Sequence, residues 1–239
     1  MPGHLKDGKL IPNYLTSKSK HWIQDSGLFT LMFGSQQGKV TTKLIYDWYE
    51  GLKEFTLSNN KNITIVEIDC QRVLNSKIAW ELRKRMRDEI PNRKINVFHK
   101  EDGQRGLDEL IEFSDYIAIS VPELRVLKQK EDTIKIANYI KNKKPEIDIH
   151  LLGCTEIKLL NRLRFCTSSD STTYTSGKRY GYIKGTHINN INTDKVKGLI
   201  SDEGYRRVRE YNNERNANAI MLNIYHLMNQ YNKYAGPQD

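Results

Sequence analysis

Hydrophobic positions along the chain follow two spacings that alternate from about residue 40 onward. Short runs of apolar and β-branched residues are separated by longer stretches in which apolar residues recur every three or four positions. The first spacing predicts strands and the second predicts amphipathic helices. The predicted helices are 41–55, 75–90, 106–113, 131–141 and 156–163, and the predicted strands are 63–68, 94–98, 116–121, 147–152 and 164–167.

This alternation predicts βα units and a parallel sheet. Polar residues follow the apolar segments, namely Asp25, Asp69, His99, Ser120, Gly153 and Asp170. In a (β/α) barrel the chemistry lies at this carboxyl end of the strands. We therefore predict an α/β fold, a (β/α)8 TIM-type barrel, with segments 1–20 and 180–183 as candidates for the missing strands. The barrel would be irregular or incomplete at its amino end, and an open, doubly wound sheet is the alternative.

The last part of the chain has a different pattern. Apolar residues on one face predict one or two helices within about 200–235, with Asn212-Asn213 as a candidate break. We predict that this C-terminal helical extension packs against a core at about 20–185, and a partner-binding helix is the alternative. The sequence has no internal repeat and no low-complexity linker, so 1–239 is predicted to be a single domain.

A net charge of +9 bears on the choice of partner. Excess positive charge favours association with polyphosphates such as nucleic acids. A merely soluble, lysine-rich chain is the alternative interpretation. The longest apolar runs are only a few residues, so we expect no membrane span and no membrane partner, and the first residues contain no apolar leader.

The three cysteines are Cys70, Cys154 and Cys166, an odd number at wide spacing. This pattern argues against a disulfide framework and fits a reducing, cytoplasmic setting. Neither Cys-x-x-Cys nor His-x-x-x-His occurs in the sequence, so no metal site is predicted.

Three of the polar positions are aspartates that end apolar segments: Asp25, Asp69 and Asp170. Three acids at three predicted strand ends indicate one carboxylate-based site. Each has a simpler interpretation. Asp25 could cap a turn made by Ser26-Gly27, Asp69 could be a solvated loop acid, and Asp170 could belong to a plain hydroxyl-rich loop.

Several short motifs occur in the order found in one enzyme family. They are Asp25-Ser26-Gly27-Leu28-Phe29, Ile68-Asp69-Cys70, Tyr116-Ile117-Ala118-Ile119, His150-Leu151-Leu152-Gly153 and Ser169-Asp170-Ser171-Thr172. The ordered set resembles the guanine transglycosylase superfamily, in particular its compact viral-type branch related to DNA 7-deazaguanine transglycosylases. The resemblance extends from about Trp22 to Gly181.

The resemblance implies an enzyme that exchanges guanine in DNA for a 7-deazaguanine base such as preQ0. By resemblance, Asp170 is the nucleophile that attacks C1′ and holds the sugar as a glycosyl ester. Asp25 is the implied general acid/base, and Asp69 is the implied reader of the base edge. The reaction requires no cofactor. The setting is the cytoplasm, that of the host cell if the chain comes from a virus such as a bacteriophage.

The resemblance also implies a base pocket and a phosphate contact. Phe29 and Leu152 would sandwich the flipped base. The other implied pocket residues are Ser26, Gly27, His99, Ser120 and Gly153. Lys178 and Arg179 resemble residues that hold backbone phosphate, and further cations could extend that track, namely Lys184, Lys195, Lys197, Arg206, Arg207 and Arg209.

One departure from the family favours DNA over tRNA. The tRNA-modifying branch carries a zinc site of cysteines and a histidine beyond its nucleophile, and no cysteine follows Cys166 here. The alternatives left open are a tRNA-guanine transglycosylase, a non-catalytic DNA-binding accessory protein on the same scaffold, and a hydrolytic glycosidase. Whether the active form is a homodimer also stays open.

Overall fold

The structure is a computed structural model, and it describes residues 22–28, 40–58, 62–199 and 202–231. The strand expected within residues 1–20 lies outside these ranges. Six strands form a parallel sheet in chain order. They are β1 (Trp22–Gln24), β2 (Ile63–Val66), β3 (Lys94–Phe98), β4 (Tyr116–Ser120), β5 (Asp148–Leu152) and β6 (Ser168–Ser169).

Helices connect and follow these strands. They are α1 (Thr42–Ser58), α2 (Ser76–Glu89), α3 (Gly103–Phe113), α4 (Val121–Val126), α5 (Asp132–Lys143), α6 (Ile157–Arg162), α7 (Ser176–Tyr180), α8 (Thr193–Lys197), α9 (Asp202–Glu210) and α10 (Glu214–Tyr231). Short 3₁₀ turns span Lys100–Asp102, Thr172–Thr175 and Ile188–Asn190. None of these helices has the length and apolar character needed to cross a bilayer.

The predicted α/β fold is confirmed, and the full eight-stranded barrel is not. The strand order β1-β2-β3-β4-β5-β6 is that of part of a (β/α) barrel, because each strand lies beside its predecessor. A doubly wound sheet would instead reverse its order at a switch point, and this order contains no reversal.

The strand predicted at 180–183 does not join the parallel sheet. Tyr182–Ile183 forms β7, which pairs antiparallel with β8 (Thr186–His187) in a separate hairpin. The two intervening residues, Lys184 and Gly185, have φ values of +47° and +83°. Positive φ at both positions is the geometry of a type I′ turn, which closes an antiparallel hairpin, whereas a parallel pair requires a long crossover.

The predicted strand at 164–167 is also displaced. The chain turns after α6, with Cys166 donating its backbone N–H to the carbonyl of Leu163 (2.9 Å), and β6 begins only at Ser168. The remaining strands and helices agree with the predicted positions to within a few residues.

The described chain divides into two compact units. The first lies within Met1–Ile119 and Tyr139–Ile149, and the second lies within Ser120–Asn138 and His150–Asp239. The prediction of a single domain therefore stays a prediction.

The core of the first unit is built by α1 and α2 against β2. On α1 the buried positions are Ile45, Tyr49, Leu52 and Thr56, which is the spacing of one helical face. They pack with residues of β2 and α2, including Ile63, Ile65, Leu82 and Met86. Burying a side chain of this size stabilises the fold by about 1.5–3 kcal/mol. Helix α2 begins after Asn75, whose Oδ1 accepts the backbone N–H of Ile78 (3.0 Å).

A buried polar network crosses this core. Glu67, just after β2, accepts two hydrogen bonds from Arg83 of α2, both at 2.6 Å. Asn96 Nδ2 and the backbone N–H of Val97 also donate to the Glu67 carboxylate. Both charges are therefore satisfied inside the protein, which a buried ion pair requires.

In the second unit, α10 packs along much of its length. Ala219 lies in a cluster with Ile183 and Ile188, and Met221 lies in a cluster with Val196 and Tyr205. The first part of the apolar stripe is therefore buried, whereas Met228 near its end is exposed. That the stripe packs against the barrel core stays a prediction. The predicted break is present as well, because Asn213 Oδ1 accepts the backbone N–H of Asn216 (2.9 Å) and begins a new helix.

Candidate active site

The three aspartates singled out in the sequence all follow strands. Asp25 comes directly after β1, Asp69 comes three residues after β2, and Asp170 comes directly after β6. Because β1 and β2 are parallel neighbours, Asp25 and Asp69 lie at the same edge of the sheet within the first unit. Asp170 belongs to the second unit.

Asp170 is an exposed carboxylate with one anchored oxygen. Its Oδ1 accepts the backbone N–H of Gly153 (2.8 Å) and lies 3.3 Å from Nε2 of His150. No partner contacts Oδ2 within the described part of the chain. The strand pairing explains this arrangement, because β5 and β6 align Leu151 with Ser169 and so bring the two strand ends together.

The surroundings of Asp170 lower the pKa of its carboxyl group below the ordinary value. Partial burial acts in the opposite direction, but the hydrogen bonds from His150 and from the Gly153 N–H outweigh it. Asp170 is therefore ionised at neutral pH, which is the form a carboxylate nucleophile requires.

His150 is a buried residue of β5 that sequence reasoning did not single out for a role. Its Nδ1 is hydrogen-bonded to Ser168 Oγ, and its Nε2 faces Asp170. A histidine on an otherwise apolar buried strand (Ile149, Leu151) was the available signal.

Gly153 can hold Asp170 only as a glycine. Its φ is +63°, a conformation that residues with a side chain rarely adopt. A Cβ at this position would lie 2.4 Å from Cγ of Pro122. The close packing of Pro122 and the backbone hydrogen bond to Asp170 therefore both depend on the absence of a side chain.

The turn after Asp170 is held by the C-terminal helix. Asn223 of α10 donates from Nδ2 to the carbonyl of Thr173 (2.7 Å), to that of Tyr174 (3.3 Å) and to Ser176 Oγ (2.7 Å). Sequence reasoning missed Asn223, although a polar residue within the apolar stripe of the tail was a usable signal. Burial is the main cause that raises the pKa of Tyr231, at the end of α10.

Asp69 is paired with a histidine in the first unit. Nε2 of His99 lies 2.6 Å from Asp69 Oδ1, and His99 is buried while Asp69 is half-buried. The register of β2 and β3 brings these two strand ends together. The predicted site residues Asp69 and His99 therefore lie in contact, with the histidine orienting the carboxylate.

Asp25 caps the turn at Ser26-Gly27, which was the simpler interpretation of this residue. Its Oδ1 accepts the backbone N–H of Gly27 (3.3 Å), and the residue is exposed. Ser26 is buried, and its carbonyl accepts the indole N–H of Trp48 (2.7 Å). Gly27 has φ +74°, and a Cβ there would touch the Trp48 ring at 3.4 Å. The turn fixes the backbone of Asp25 and leaves its side chain at the surface.

The remaining predicted residues have mixed placements. Phe29 lies outside the described residues. Ser120 ends β4 and precedes α4, and Leu152 ends β5 and is half-buried. Lys178 and Arg179 are exposed on α7.

Two of the three thiols, those of Cys70 and Cys154, do not offer an alternative nucleophile at the strand ends. Cys70 is fully buried, and burial together with the charges of Asp69 and Glu67 raises its pKa to about 12. Burial also raises the pKa of Cys154. Both thiols are therefore protonated at neutral pH. Within the described ranges, no cluster of three or more His, Cys, Asp or Glu side chains could hold a metal ion.

A shallow groove elsewhere in the first unit contains none of the predicted site residues. It is lined by Trp80, Lys84, Arg87, Glu109, Glu112 and Phe113 of α2 and α3. The Trp80 and Phe113 rings meet edge to face at 5.5 Å, and charges of both signs surround them. The groove has no nucleophile, so the strand ends remain the candidate site.

Comparisons of the chain with protein-family models, with curated proteins and with solved structures return no match.

Proposed function

We propose that the protein exchanges guanine in DNA for a 7-deazaguanine base such as preQ0, with Asp170 as the nucleophile. The observation that carries the proposal is the state of Asp170. Its carboxylate is exposed, it is ionised at neutral pH, and one of its oxygens is held by the Gly153 N–H beside a buried histidine. A carboxylate in this state suits covalent catalysis.

The proposed reaction has two displacements at the same carbon. An Asp170 oxygen attacks C1′ of a deoxyguanosine, and the bond from C1′ to guanine N9 breaks with its electrons leaving on the base. The incoming deazaguanine then attacks C1′ and releases Asp170 as a carboxylate. Two inversions give net retention, and the DNA backbone is never cut.

The other two aspartates divide the remaining tasks in this proposal. Asp25, exposed on its turn, would protonate the departing guanine and take a proton from the incoming base. Asp69, with Oδ1 engaged by His99, would use Oδ2 to accept from the N1–H and amino group that both bases share.

The decisive assay supplies a labelled 7-deazaguanine base with either DNA or tRNA and measures incorporation by mass spectrometry of the released nucleosides. The proposal expects incorporation into DNA with release of one guanine for each base inserted. Incorporation into tRNA alone would support the tRNA enzyme instead. Guanine release without an incoming base would indicate a hydrolytic glycosidase.

DNA binding with no base release under any condition would support the accessory-protein alternative. A matched pair of variants gives the control. Asp170→Asn should abolish incorporation, whereas Asp202→Asn, which changes an exposed aspartate at the start of α9, should retain it. Full incorporation by Asp170→Asn would reject the proposal.

A further inference from the structure

A surface next to the turn that follows Asp170 combines cations with exposed aromatic rings. Residues 171–193 contain no aspartate or glutamate. We name the tyrosine–lysine patch by its exposed members: Lys178, Arg179, Tyr180, Tyr182, Lys184 and Tyr211. Lys178 Nζ donates to Asn212 Oδ1 (2.9 Å), and Tyr211 is the residue next to Asn212 in the chain.

The three rings of the patch are largely open to solvent. Relative exposures are 75% for Tyr180, 58% for Tyr182 and 68% for Tyr211. One exposed tyrosine needs no explanation, but several around a group of cations are typical of a binding surface. Core packing does not account for these rings, because other residues of the same elements, such as Ile183, fill the core.

The backbone beneath the patch is tightly packed. Gly177 of α7 is buried, and a Cβ there would lie 2.4 Å from Cγ1 of Ile183 in β7. Gly181, at φ +76°, ends α7 and leads directly into the hairpin. The Tyr182 ring meets the His187 ring edge to face at 5.0 Å. A rigid platform of this kind loses little conformational entropy when a ligand binds.

Lys184 stands at a position where lysine is conformationally unfavourable. It occupies the first central position of the type I′ turn with φ +47°, where asparagine or glycine is preferred. Non-glycine residues held in this region often mark functional sites. The effect of Lys184 is to place a cation at the tip of the hairpin.

The cations of the patch keep their charge available. Within the residues that the structure describes, Lys178, Arg179 and Lys184 form no ion pair. The arginines of α9 differ, because Arg206 and Arg207 lie 3.7 and 3.6 Å from Glu210 oxygens, and Arg209 lies 3.8 Å from Glu214. Of the cations expected from the sequence to contact phosphate, those on α7 and the hairpin are therefore better available than those on α9. The side chains of Lys195 and Lys197 lie outside the described set.

We propose that the tyrosine–lysine patch binds unpaired nucleotides of a DNA strand, with bases stacked on the tyrosines and phosphates on the cations. Tyrosine rings stack on any base, and unpaired Lys and Arg side chains follow the phosphates. A duplex keeps its base faces covered by their neighbours, so the rings favour a single strand. This inference rests on the proposed function for the choice of DNA, since a guanine must leave the stack before Asp170 can reach it.

The test measures binding of the full chain to a short, fluorescently labelled oligonucleotide that contains only adenine and thymine, as a single strand and as a duplex. Without guanine, no exchange can occur, so binding is measured apart from chemistry. We expect the single strand to bind at least about tenfold more tightly than the duplex, because base–tyrosine stacking contributes appreciably for each base. Tyr180→Ala with Tyr182→Ala should lose about tenfold of that affinity, and the Tyr→Phe pair should retain it.

Lys184 has a matched control. Lys128, in the loop after α4, is the other described lysine with positive φ (+57°). Replacing either lysine by asparagine relieves the backbone equally and removes one charge. Lys184→Asn should weaken single-strand binding and reduce the slope of log affinity against log salt by about 0.7, whereas Lys128→Asn should leave that slope unchanged.

The inference is overturned if the duplex binds as well as the single strand, or if the double alanine variant binds normally. Its failure is distinguishable from failure of the proposed function. If the protein exchanges bases but the tyrosine–lysine patch does not contribute to single-strand binding, only this inference is rejected. Tyrosine-dependent single-strand binding without base exchange would reject the proposed function alone.

Discussion

Two of the strand-end carboxylates, Glu67 and Asp170, each have a basic partner but differ in almost every other respect. Glu67 follows β2 and is 3% exposed, with both oxygens bonded to Arg83 and further donors. Asp170 follows β6, is 54% exposed, and has one oxygen anchored. The first is a completed internal network, whereas the second has acceptor capacity left for a substrate. Exposure and unused hydrogen-bonding capacity separate a structural acid from a candidate catalytic one.

Substitution of Asp170 should remove activity and leave stability nearly unchanged, whereas substitution of Glu67 should mainly reduce stability. The largest effect is expected at Asp170. Asp170→Asn should reduce base exchange by at least about a thousandfold, because the amide is not a nucleophile. The melting temperature should change by no more than about 2 °C, as expected for an exposed position. The assay is incorporation of labelled base together with thermal unfolding. An Asp170→Asn variant with a much lower melting temperature but unchanged specific activity would reverse the two roles.

Glu67→Gln should have the complementary outcome. It leaves the guanidinium of Arg83 buried without its counter-charge, so we expect a loss of about 3–5 kcal/mol in the free energy of unfolding. Urea denaturation measures this loss. The double variant Glu67→Gln with Arg83→Met should recover part of it, because no uncompensated charge remains. A single-variant loss below about 1 kcal/mol would contradict the view of Glu67 as a structural acid.

His150 tests whether the hydrogen bonds to Asp170 set its ionisation. Removing the donor in His150→Phe removes the main influence that lowers the Asp170 pKa, so that pKa should rise. The acidic limb of the kcat/KM profile should then shift to higher pH, with activity about tenfold lower at its optimum. His150→Gln, which can donate from Nε2, should move the limb back toward the wild-type position. An unchanged limb in His150→Phe would exclude this role.

Glu89 is intermediate in exposure between Glu67 and Asp170, and its substitution should have the smallest effect of those predicted here, a modest loss of stability. It is 30% exposed and accepts from Arg85, Lys53 and Tyr49, and these contacts lower its pKa to about 2. Because the folded-state pKa is below the unfolded value of about 4.3, its contribution is present above that pH and is lost as pH falls toward 2. Glu89→Gln should cost about 1 kcal/mol at neutral pH and little at pH 2 to 3, measured by denaturation across pH. A cost that is independent of pH would contradict this linkage.

The sequence was sufficient for much of the fold because its two hydrophobic spacings are well separated. It placed β3 at its observed bounds and α1, α2 and α5 to within a few residues. It did not predict the antiparallel β7–β8 hairpin, because a lysine at the first position of a type I′ turn hides the usual Asn-Gly signal. The late start of β6 was missed because 164–167 contains the same apolar residues as a strand.

The candidate site was predictable as a set of strand-end aspartates but not as a set of contacts. Spacing along the chain does not show that His150 and Gly153 meet Asp170, since that depends on the pairing of β5 with β6. Asn223 reaches the turn after Asp170 from fifty residues further along the chain, through a packed helix. Such long-range partners depend on tertiary packing that local patterns do not encode.

The central claim is that the Asp170 carboxylate forms a covalent bond to C1′ of DNA. The direct measurement is rapid acid denaturation of the protein during reaction with DNA, followed by proteolysis and mass spectrometry of the modified peptide. We predict a deoxyribosyl adduct on the peptide that contains Asp170, which disappears when excess 7-deazaguanine is added before denaturation. An adduct on a different residue, or base exchange that proceeds undiminished in Asp170→Asn, would contradict the account.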